Sequence, residues 1–111
     1  MSQPVLVKVY AAIEGAAPTA PDIEKICRSA HPAENAATSM DGDALLISFE
    51  GIWFPVDEVL EALERSQTPA WKGKMDVLDL EDWRLIRYVF KDGSLVRKEA
   101  PLNNVLDYSG H

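Results

Sequence analysis

Acidic side chains gather in two short segments, and their oxygens are the groups that could bind a hard cation such as Mg²⁺ or Ca²⁺. They are Asp41 and Asp43 in the first segment and Asp76, Asp79, Glu81 and Asp82 in the second. On a strand, Asp76 and Asp79 point to opposite faces, so their carboxylates do not converge. A calcium loop that starts at Asp41 needs a glutamate at its twelfth position, where Ile52 stands. We therefore predict solvated turns and strand ends here, with no metal site and no cofactor.

Histidine and cysteine, the usual sources of general bases and nucleophiles, are scarce in this chain. His31 stands before a proline and His111 is the last residue, so neither belongs to a pattern typical of catalysis. Cys27 falls on the apolar side of a predicted helix, where a cysteine is most simply a small core residue, although Arg28 lies beside it. The sequence contains no serine elbow, glycine-rich phosphate loop or Cys-x-x-Cys pair. It therefore predicts no catalytic residue, and an enzyme is the last function we consider.

Basic charge is concentrated towards the end of the chain, where it alternates with aromatic residues. The basic residues are Arg84, Arg87, Lys91, Arg97 and Lys98, and the aromatic residues are Trp83, Tyr88 and Phe90. Sheets that bind RNA combine stacking aromatics with basic groups, but Tyr88 and Phe90 share strand parity with Ile86, which indicates a core face. We therefore expect a protein-interaction surface, because interfaces favour Trp, Tyr and Arg. Its candidate residues are Trp71, Trp83, Arg84, Arg87, Lys91 and Arg97.

The formal net charge of −7 argues against nucleic acid as a partner, because phosphate binding needs clustered Lys and Arg. The charge is uneven: residues 1–82 contain 15 acids and 6 bases, a net −9, whereas residues 83–111 contain 3 acids and 5 bases, a net +2. Such asymmetry is compatible with a charged protein partner or with self-association as a homodimer. The single cysteine, and the lack of a leader or a long apolar run, predict a cytoplasmic chain with no membrane contact.

Hydrophobic periodicity predicts the elements that position these residues. Apolar residues alternate with period two, as in strands, over residues 4–13, 44–49, 75–80, 83–90 and 95–99, and more weakly over 35–40. Helical spacing predicts one helix that starts at Thr19 and ends before His31-Pro32, and a second helix over 56–65. Asp41-Gly42 and Asp92-Gly93 are typical of type I′ hairpin turns. Residues 66–73 read as a polar linker with an exposed Trp71, and 102–108 as one loose helical turn.

The order of these elements predicts the fold class. The first six follow β-α-β-β-α-β, the pattern of a ferredoxin-like antiparallel sheet with its helices on one face, and a C-terminal β-hairpin comes after them. Residues 74–99 should supply a core strand and an amphipathic hairpin against which the other elements pack. The length of 111 residues fits one α+β domain, with an ordered core at about 4–100 and a tail at 101–111.

The C-terminal sequence also carries a family resemblance. The chain ends DWRLIRYVFKDGSLVRKEAPLNNVLDYSGH, which resembles small uncharacterised proteins of bacterial prophages and mobile elements. The similarity covers at most the C-terminal part of the chain, contains no functional motif and transfers no site residue. It implies a bacterial cytoplasm.

Three functions are compatible with these observations. The first is a non-enzymatic protein-interaction module, from a phage or mobile element, that uses an exposed sheet face or the terminal hairpin. The second is a dimeric regulatory domain that binds a small molecule between joined sheets. The third is an acidic mimic that inhibits a nucleic-acid-binding protein through the net −9 of residues 1–82.

Overall fold

The computed structural model describes residues 5–30 and 36–102 of the chain. Its strands are β1 (Val7–Glu14), β2 (Thr38–Asp41), β3 (Ala44–Gly51), β4 (Lys72–Asp79), β5 (Arg84–Lys91) and β6 (Ser94–Pro101), and its helices are α1 (Ala20–Ala30) and α2 (Val56–Ser66). A 3₁₀ turn, Ala17–Thr19, precedes α1. The strands and helices expected from the sequence are therefore present, with shifted ends. The expected helix end at His31-Pro32 and all of the expected turn at 102–108 except Leu102 lie outside the described residues.

All six strands form one antiparallel sheet in the order β2-β3-β1-β4-β5-β6. The predicted fold class, a ferredoxin-like four-stranded sheet with a hairpin added to it, is therefore wrong. The hairpin is part of the sheet itself, because β5 pairs with β4 along its length and β6 pairs with β5. Strand predominates over helix, and the two helices are short beside a sheet of this width.

The reason why β5 extends the sheet can be read from its side chains. Ile86, Tyr88 and Phe90 lie on one face of the strand, and the register places Ile86 beside Val77 and Tyr88 beside Met75. Pairing β5 with β4 therefore buries Tyr88 and Phe90 in the same core as β4. A hairpin detached from the sheet would leave these aromatic side chains in water, and their burial is the largest apolar gain available to it.

The core lies on the face of the sheet that includes Val9 and Ile13 of β1, both fully buried. Ile23 and Cys27 of α1 and Val59 and Leu63 of α2 belong to the same apolar cluster. Other sheet residues in it share strand parity with Val9: Leu45, Ile47, Phe49, Met75, Val77, Tyr88 and Phe90. The opposite face is called the open face below, because no helix covers it among the described residues.

The segment expected to be a polar linker is instead part of the core and of β4. Trp71 is only 3% exposed and packs edge-on against Phe90, with ring centroids 6.0 Å apart. The expectation that Trp71 is exposed is therefore wrong. Gly73 allows β4 to approach β1 this closely, since a Cβ at position 73 would lie 2.0 Å from the Ala12 carbonyl oxygen. The polar composition of the segment had concealed both contacts.

The two predicted hairpin turns are present, and they differ in type. Asp92 and Gly93 both have positive φ, 55° and 79°, as a type I′ turn requires. In the first hairpin Asp41 ends β2 and pairs with Ala44, so Gly42 and Asp43 are the central residues. Only Gly42 of these two has positive φ, which is the pattern of a type II′ turn rather than the expected type I′.

Substitutions on α2 test the assignment of its buried face. Leu63 is fully buried, whereas Leu60 is only partly buried at the edge of the core. Leu63→Ala is expected to lower the free energy of unfolding by about 2–5 kcal/mol, because it removes buried methyl groups and leaves a cavity. The matched change Leu60→Ala is expected to lower the free energy of unfolding by a clearly smaller amount. Urea titration followed by circular dichroism measures both, and equal losses would contradict the assigned helix orientation.

Candidate functional site

Most of the basic residues of the sheet lie on the open face, in the half that is formed by β4, β5 and β6. Strand parity and register bring together five of them, which we call the basic face: Lys72 and Lys74 on β4, Arg87 and Lys91 on β5, and Lys98 on β6. Val89 and Val96 pair with each other on this face, beside Lys74. Val96 is 48% exposed, so an apolar stripe crosses the basic residues.

Sequence reasoning found Arg87, Lys91 and Lys98 but missed Lys72 and Lys74. These two lysines were read as part of a linker or the edge of a strand, in the acidic part of the chain. The register Lys74–Val89–Val96, across three strands, places Lys74 in the basic face. The alternation of side chains along β4 places both lysines on the same face as Asp76. Their grouping with Arg87 and Lys98 also requires the pairing of β4 with β5, which the sequence pattern does not give.

The interior of the basic face is fixed by one ion pair. Arg87 donates from Nε to Asp76 Oδ1 at 2.7 Å and from a terminal nitrogen to Oδ2 at 3.0 Å. The two residues are also direct neighbours in the β4–β5 register. This bidentate bond raises the pKa of Arg87 above its ordinary value. Arg87 is therefore held in place, and Lys74, Lys91 and Lys98 carry the charge that is open to a partner.

A second network lies on the other side of the hairpin. Glu99 accepts from Arg84 and, at 3.0 Å, from Arg97. Arg84 also lies 3.5 Å from Asp82. Hydrogen bonds to Tyr88 and to Glu99 raise the pKa of Arg97. Arg84 and Arg97 are thus placed on the face opposite Arg87 and Lys91, and they serve to brace β6 against β5.

The expected interaction residues are therefore only partly brought together. Arg87 and Lys91 share the basic face, whereas Arg84 and Arg97 lie on the other face. Trp71 is buried and is excluded from any surface. Trp83 is 55% exposed and has a positive φ of 57°, a conformation that a bulky residue rarely adopts. Its carbonyl accepts from the Leu102 N–H at 3.0 Å, which closes the open end of the hairpin.

The two edges of the sheet differ in how their outward backbone groups are satisfied. At the β2 edge the Glu24 carboxylate of α1 accepts from the Thr38 N–H at 3.1 Å and from the Thr38 hydroxyl at 2.7 Å. The same carboxylate group also pairs with Arg28 at 3.0 Å. A short strand and a side-chain cap are two recognised ways to close a sheet edge. At Thr38 the β2 edge is therefore closed by α1.

The β6 edge is eight residues long and pairs with β5 without a bulge. Lys91 and Ser94 flank the two-residue turn, so they form a hydrogen-bonded pair, and along β6 every second residue from Ser94 is then hydrogen-bonded to β5. The bond from the Leu102 N–H to the Trp83 carbonyl fits this alternation, because Leu102 is an even number of residues from Ser94. The backbone groups of Leu95, Arg97 and Glu99 therefore point away from the sheet, and within residues 5–30 and 36–102 they meet no partner.

An apolar cleft of about 320 Å³ lies at the other end of the molecule, between the loop before α2 and the ends of β4 and β5. Its apolar lining includes Leu6, Trp53, Val77 and Ile86, among others. Trp53 is 55% exposed, and Phe54 beside it is buried against Phe49 with ring centroids 5.1 Å apart. Phe54 is therefore packed into the core just before α2, while the Trp53 side chain remains partly accessible.

Three carboxylates border this cleft. They belong to Asp57, Asp79 and Glu81. Asp79 Oδ1 accepts from the backbone N–H groups of Glu81 and Asp82, both at 3.1 Å, which fixes the turn after β4. None of the three carboxylates has a basic partner among the described residues. The cleft thus combines apolar walls with uncompensated negative charge.

The remaining chemically interesting residues do not assemble into a site. Across the described part of the chain, no three Asp, Glu, His or Cys side chains are grouped so that they could hold a metal ion. His31 and His111 lie outside the described residues. Tyr10 on the open face donates to Glu50 at 3.0 Å, and burial, together with that bond and the Glu50 charge, raises the pKa of Tyr10.

Cys27 is a buried thiol in the core. Burial is the main reason, and the nearby Glu24 charge a further one, why the pKa of the thiol is raised to about 11. A nucleophilic cysteine needs a lowered pKa and open surroundings. Cys27 is therefore a packing residue, as its position on the apolar side of the helix had indicated.

Comparison of the chain with protein-family models, with curated proteins and with solved structures gave no match. No helix in the described part is long and apolar enough to cross a membrane. Functional conclusions for this protein therefore rest on the chemistry of its own surfaces.

The raised pKa of Cys27 predicts how stability changes at high pH. Folding favours the neutral thiol, so its contribution is fully present below pH 9, the ordinary value, and is lost as the pH rises to about 11. The free energy of unfolding is expected to fall across this interval in the native chain. In Cys27→Ala the fall should be smaller, although Tyr10 contributes a loss of the same sign. Guanidinium titrations at pH 8.5, 9.5 and 10.5 measure this difference, and parallel curves for the two proteins would contradict it.

Proposed function

We propose that this protein is a non-enzymatic interaction module that binds an acidic protein partner through the basic face and the adjoining β6 edge. The observation that carries the proposal is the concentration of basic residues on β4, β5 and β6 of the open face. Five of the 11 Lys and Arg residues lie on the basic face of a chain whose net charge is −7. Long-range attraction of an acidic surface to such a patch raises the association rate and fixes the orientation of the partner.

The chemistry of the basic face favours a protein over a nucleic acid. Val89, which is half-buried, and Val96, which is exposed, form an apolar stripe within it that suits an apolar side chain and offers no ring for base stacking. A cavity of about 410 Å³ at the end of this face is lined by Leu85 and Ala100, by Arg87 and Lys98, and by Glu99. Mixed apolar and basic contacts of this kind are typical of protein interfaces that combine an apolar centre with a charged border.

The basic face can be tested with a soluble acidic probe. The double variant Lys74→Glu/Lys98→Glu is expected to weaken binding of a short polyglutamate peptide by roughly tenfold or more, because attraction becomes repulsion at two exposed sites. Lys25→Glu/Arg65→Glu changes the net charge by the same amount on α1 and α2 and should retain most of the affinity. Isothermal titration calorimetry at low salt measures both, and thermal melts confirm that each variant is folded.

Two outcomes would overturn the proposal. One is an equal loss of affinity in the two charge variants, which would assign binding to net charge rather than to the basic face. The other is tighter binding of single-stranded or duplex DNA than of polyglutamate at the same ionic strength, which would make the basic face a nucleic-acid surface.

A second candidate function is binding of a small organic cation in the cleft beside Trp53. The supporting observation is the combination of an apolar interior, an accessible indole ring and the carboxylates of Asp57, Asp79 and Glu81. An alkylammonium ion would place its chain against the apolar walls and its charge beside the carboxylates or over the indole face. The volume of about 320 Å³ is at the small end of the range for small-molecule sites.

A series of ligands with the same alkyl chain tests this second candidate. Hexylammonium is expected to bind roughly threefold to fivefold more tightly than hexanol, as exposed charge pairs allow, and hexanoate is expected to bind least. Asp57→Asn/Glu81→Gln should remove the difference between hexylammonium and hexanol, whereas the control Glu61→Gln/Glu64→Gln on the same helix should preserve it. Chemical-shift titration measures the affinities. Equal binding of all three ligands would reject a cation site.

A further inference from the structure

We infer that the partner of the basic face binds as an added β-strand, in which an extended acidic segment pairs with the outer edge of β6, where no described residue is bound. This inference rests on the proposed function and specifies its geometry. In strand addition, main-chain hydrogen bonds supply affinity and alternate side chains supply specificity. Both requirements can be examined at β6 from the described residues.

The backbone of β6 presents a regular set of donors and acceptors. Leu95, Arg97 and Glu99 point their N–H and C=O groups outward, by the parity that the turn and the Leu102–Trp83 bond establish. Pro101 occupies the next outward position, where it has no N–H to donate and therefore ends the usable edge. The segment from Leu95 to Glu99 thus offers a binding length of about one short strand.

The contrast with β2 supports a binding role for this edge. The outward Thr38 N–H of β2 is satisfied by Glu24, and β2 has only four residues. An exposed edge of eight residues with unbroken register is the kind of template that proteins usually cover, shorten or bulge. At β6 the described residues show none of these devices except the terminal proline and the charged side chains.

Those charges select the partner. Arg97 and Lys98 lie in the middle of the edge, on opposite faces of the sheet. When the β6 strands of two copies pair antiparallel about Arg97, the two Arg97 side chains face each other, and like charges directly opposite are destabilising. When they pair about Lys98, the two Lys98 side chains face each other, but each Arg97 faces a Glu99 of the other copy. An acidic strand gains attraction at the same positions. The charge of Arg97 therefore disfavours a second copy in the Arg97-centred register, and the charge of Lys98 favours an acidic partner.

The neighbouring side chains define the pattern that the added strand should have. On the open face it would lie beside Val96, Lys98 and Ala100, and on the other face beside Arg97 and Glu99. An apolar residue next to Val96 and an acidic residue next to Lys98 meet this surface, and a further acid on the opposite face meets Arg97. A segment with two adjacent acidic residues, beside Lys98 and Arg97, followed by a β-branched residue beside Val96 satisfies these positions.

Amide hydrogen exchange resolved by NMR tests the inference with the native chain. The probe is an eight-residue peptide with two adjacent glutamates at its centre, a valine on either side of them, threonine elsewhere and blocked ends. In the free protein the amides of Val96, Lys98 and Ala100 should be protected by β5, whereas those of Arg97 and Glu99 should exchange at least tenfold faster. Saturating peptide should slow exchange at Arg97 and Glu99 by tenfold or more. Thr38, which Glu24 already protects, should not change and provides the internal control.

A charge-reversed peptide and a molar-mass measurement complete the experiment. The same peptide with lysine in place of glutamate should leave the exchange of Arg97 and Glu99 unchanged. If the glutamate peptide binds and shifts the signals of Lys74 and Lys98 without slowing exchange at Arg97 and Glu99, strand addition is wrong while the proposed function survives. If neither peptide binds, both fail. If Arg97 and Glu99 are protected without peptide and light scattering gives a dimer, the partner is a second copy and the inference is overturned.

Discussion

The burial of one face of β1 is the constraint on which the rest of the structure depends. Val9, Ala11 and Ile13 lie in the middle of the sheet, with β3 on one side and β4 on the other, and each is almost wholly inaccessible to water. A one-residue shift of either neighbouring strand would exchange its buried side chains for its exposed ones. The register of β1 with β4 thereby sets the register of β5 and β6 as well. The basic face and the outer edge of β6 are consequences of that alignment.

Both candidate surfaces use parts of the fold that the core leaves uncovered. The helices and the apolar faces of the strands form the core cluster, and no helix among the described residues covers the open face. The ion pair between Arg87 and Asp76 fixes the centre of this face. It also neutralises the positive charge of Arg87, which would otherwise repel the neighbouring lysines. The surrounding lysines are held by the sheet in a fixed arrangement while their charged ends stay in water. Rigid placement of exposed charge lowers the cost of ordering side chains when a partner binds.

The two edges of the sheet differ in how their outward backbone groups are covered. At β2 a single glutamate from α1 satisfies the outward N–H of Thr38, and the same side chain contributes to the raised pKa of Cys27 in the core behind it. At β6 the side chains of Arg84, Arg97 and Glu99 brace the strand against β5 without covering its outer backbone. Trp83 holds a strained conformation at the end of this hairpin with its ring exposed, and strain of this kind is commonly retained at functional surfaces.

The sequence by itself determined the local elements and the parity of their side chains. Alternation over β1 and β3, helical spacing in α2 and the Asp92-Gly93 turn depend on neighbours close in the chain, so their signals are complete in a short window. Cys27 and Tyr88 were assigned to the core on that basis, and both are buried.

Only the tertiary structure decided which faces meet. The joining of the hairpin to the sheet, the burial of Trp71 and the grouping of Lys74 with Lys98 depend on contacts between distant segments. Local periodicity carries no information about such pairing, because a strand presents the same alternation whichever neighbour it has.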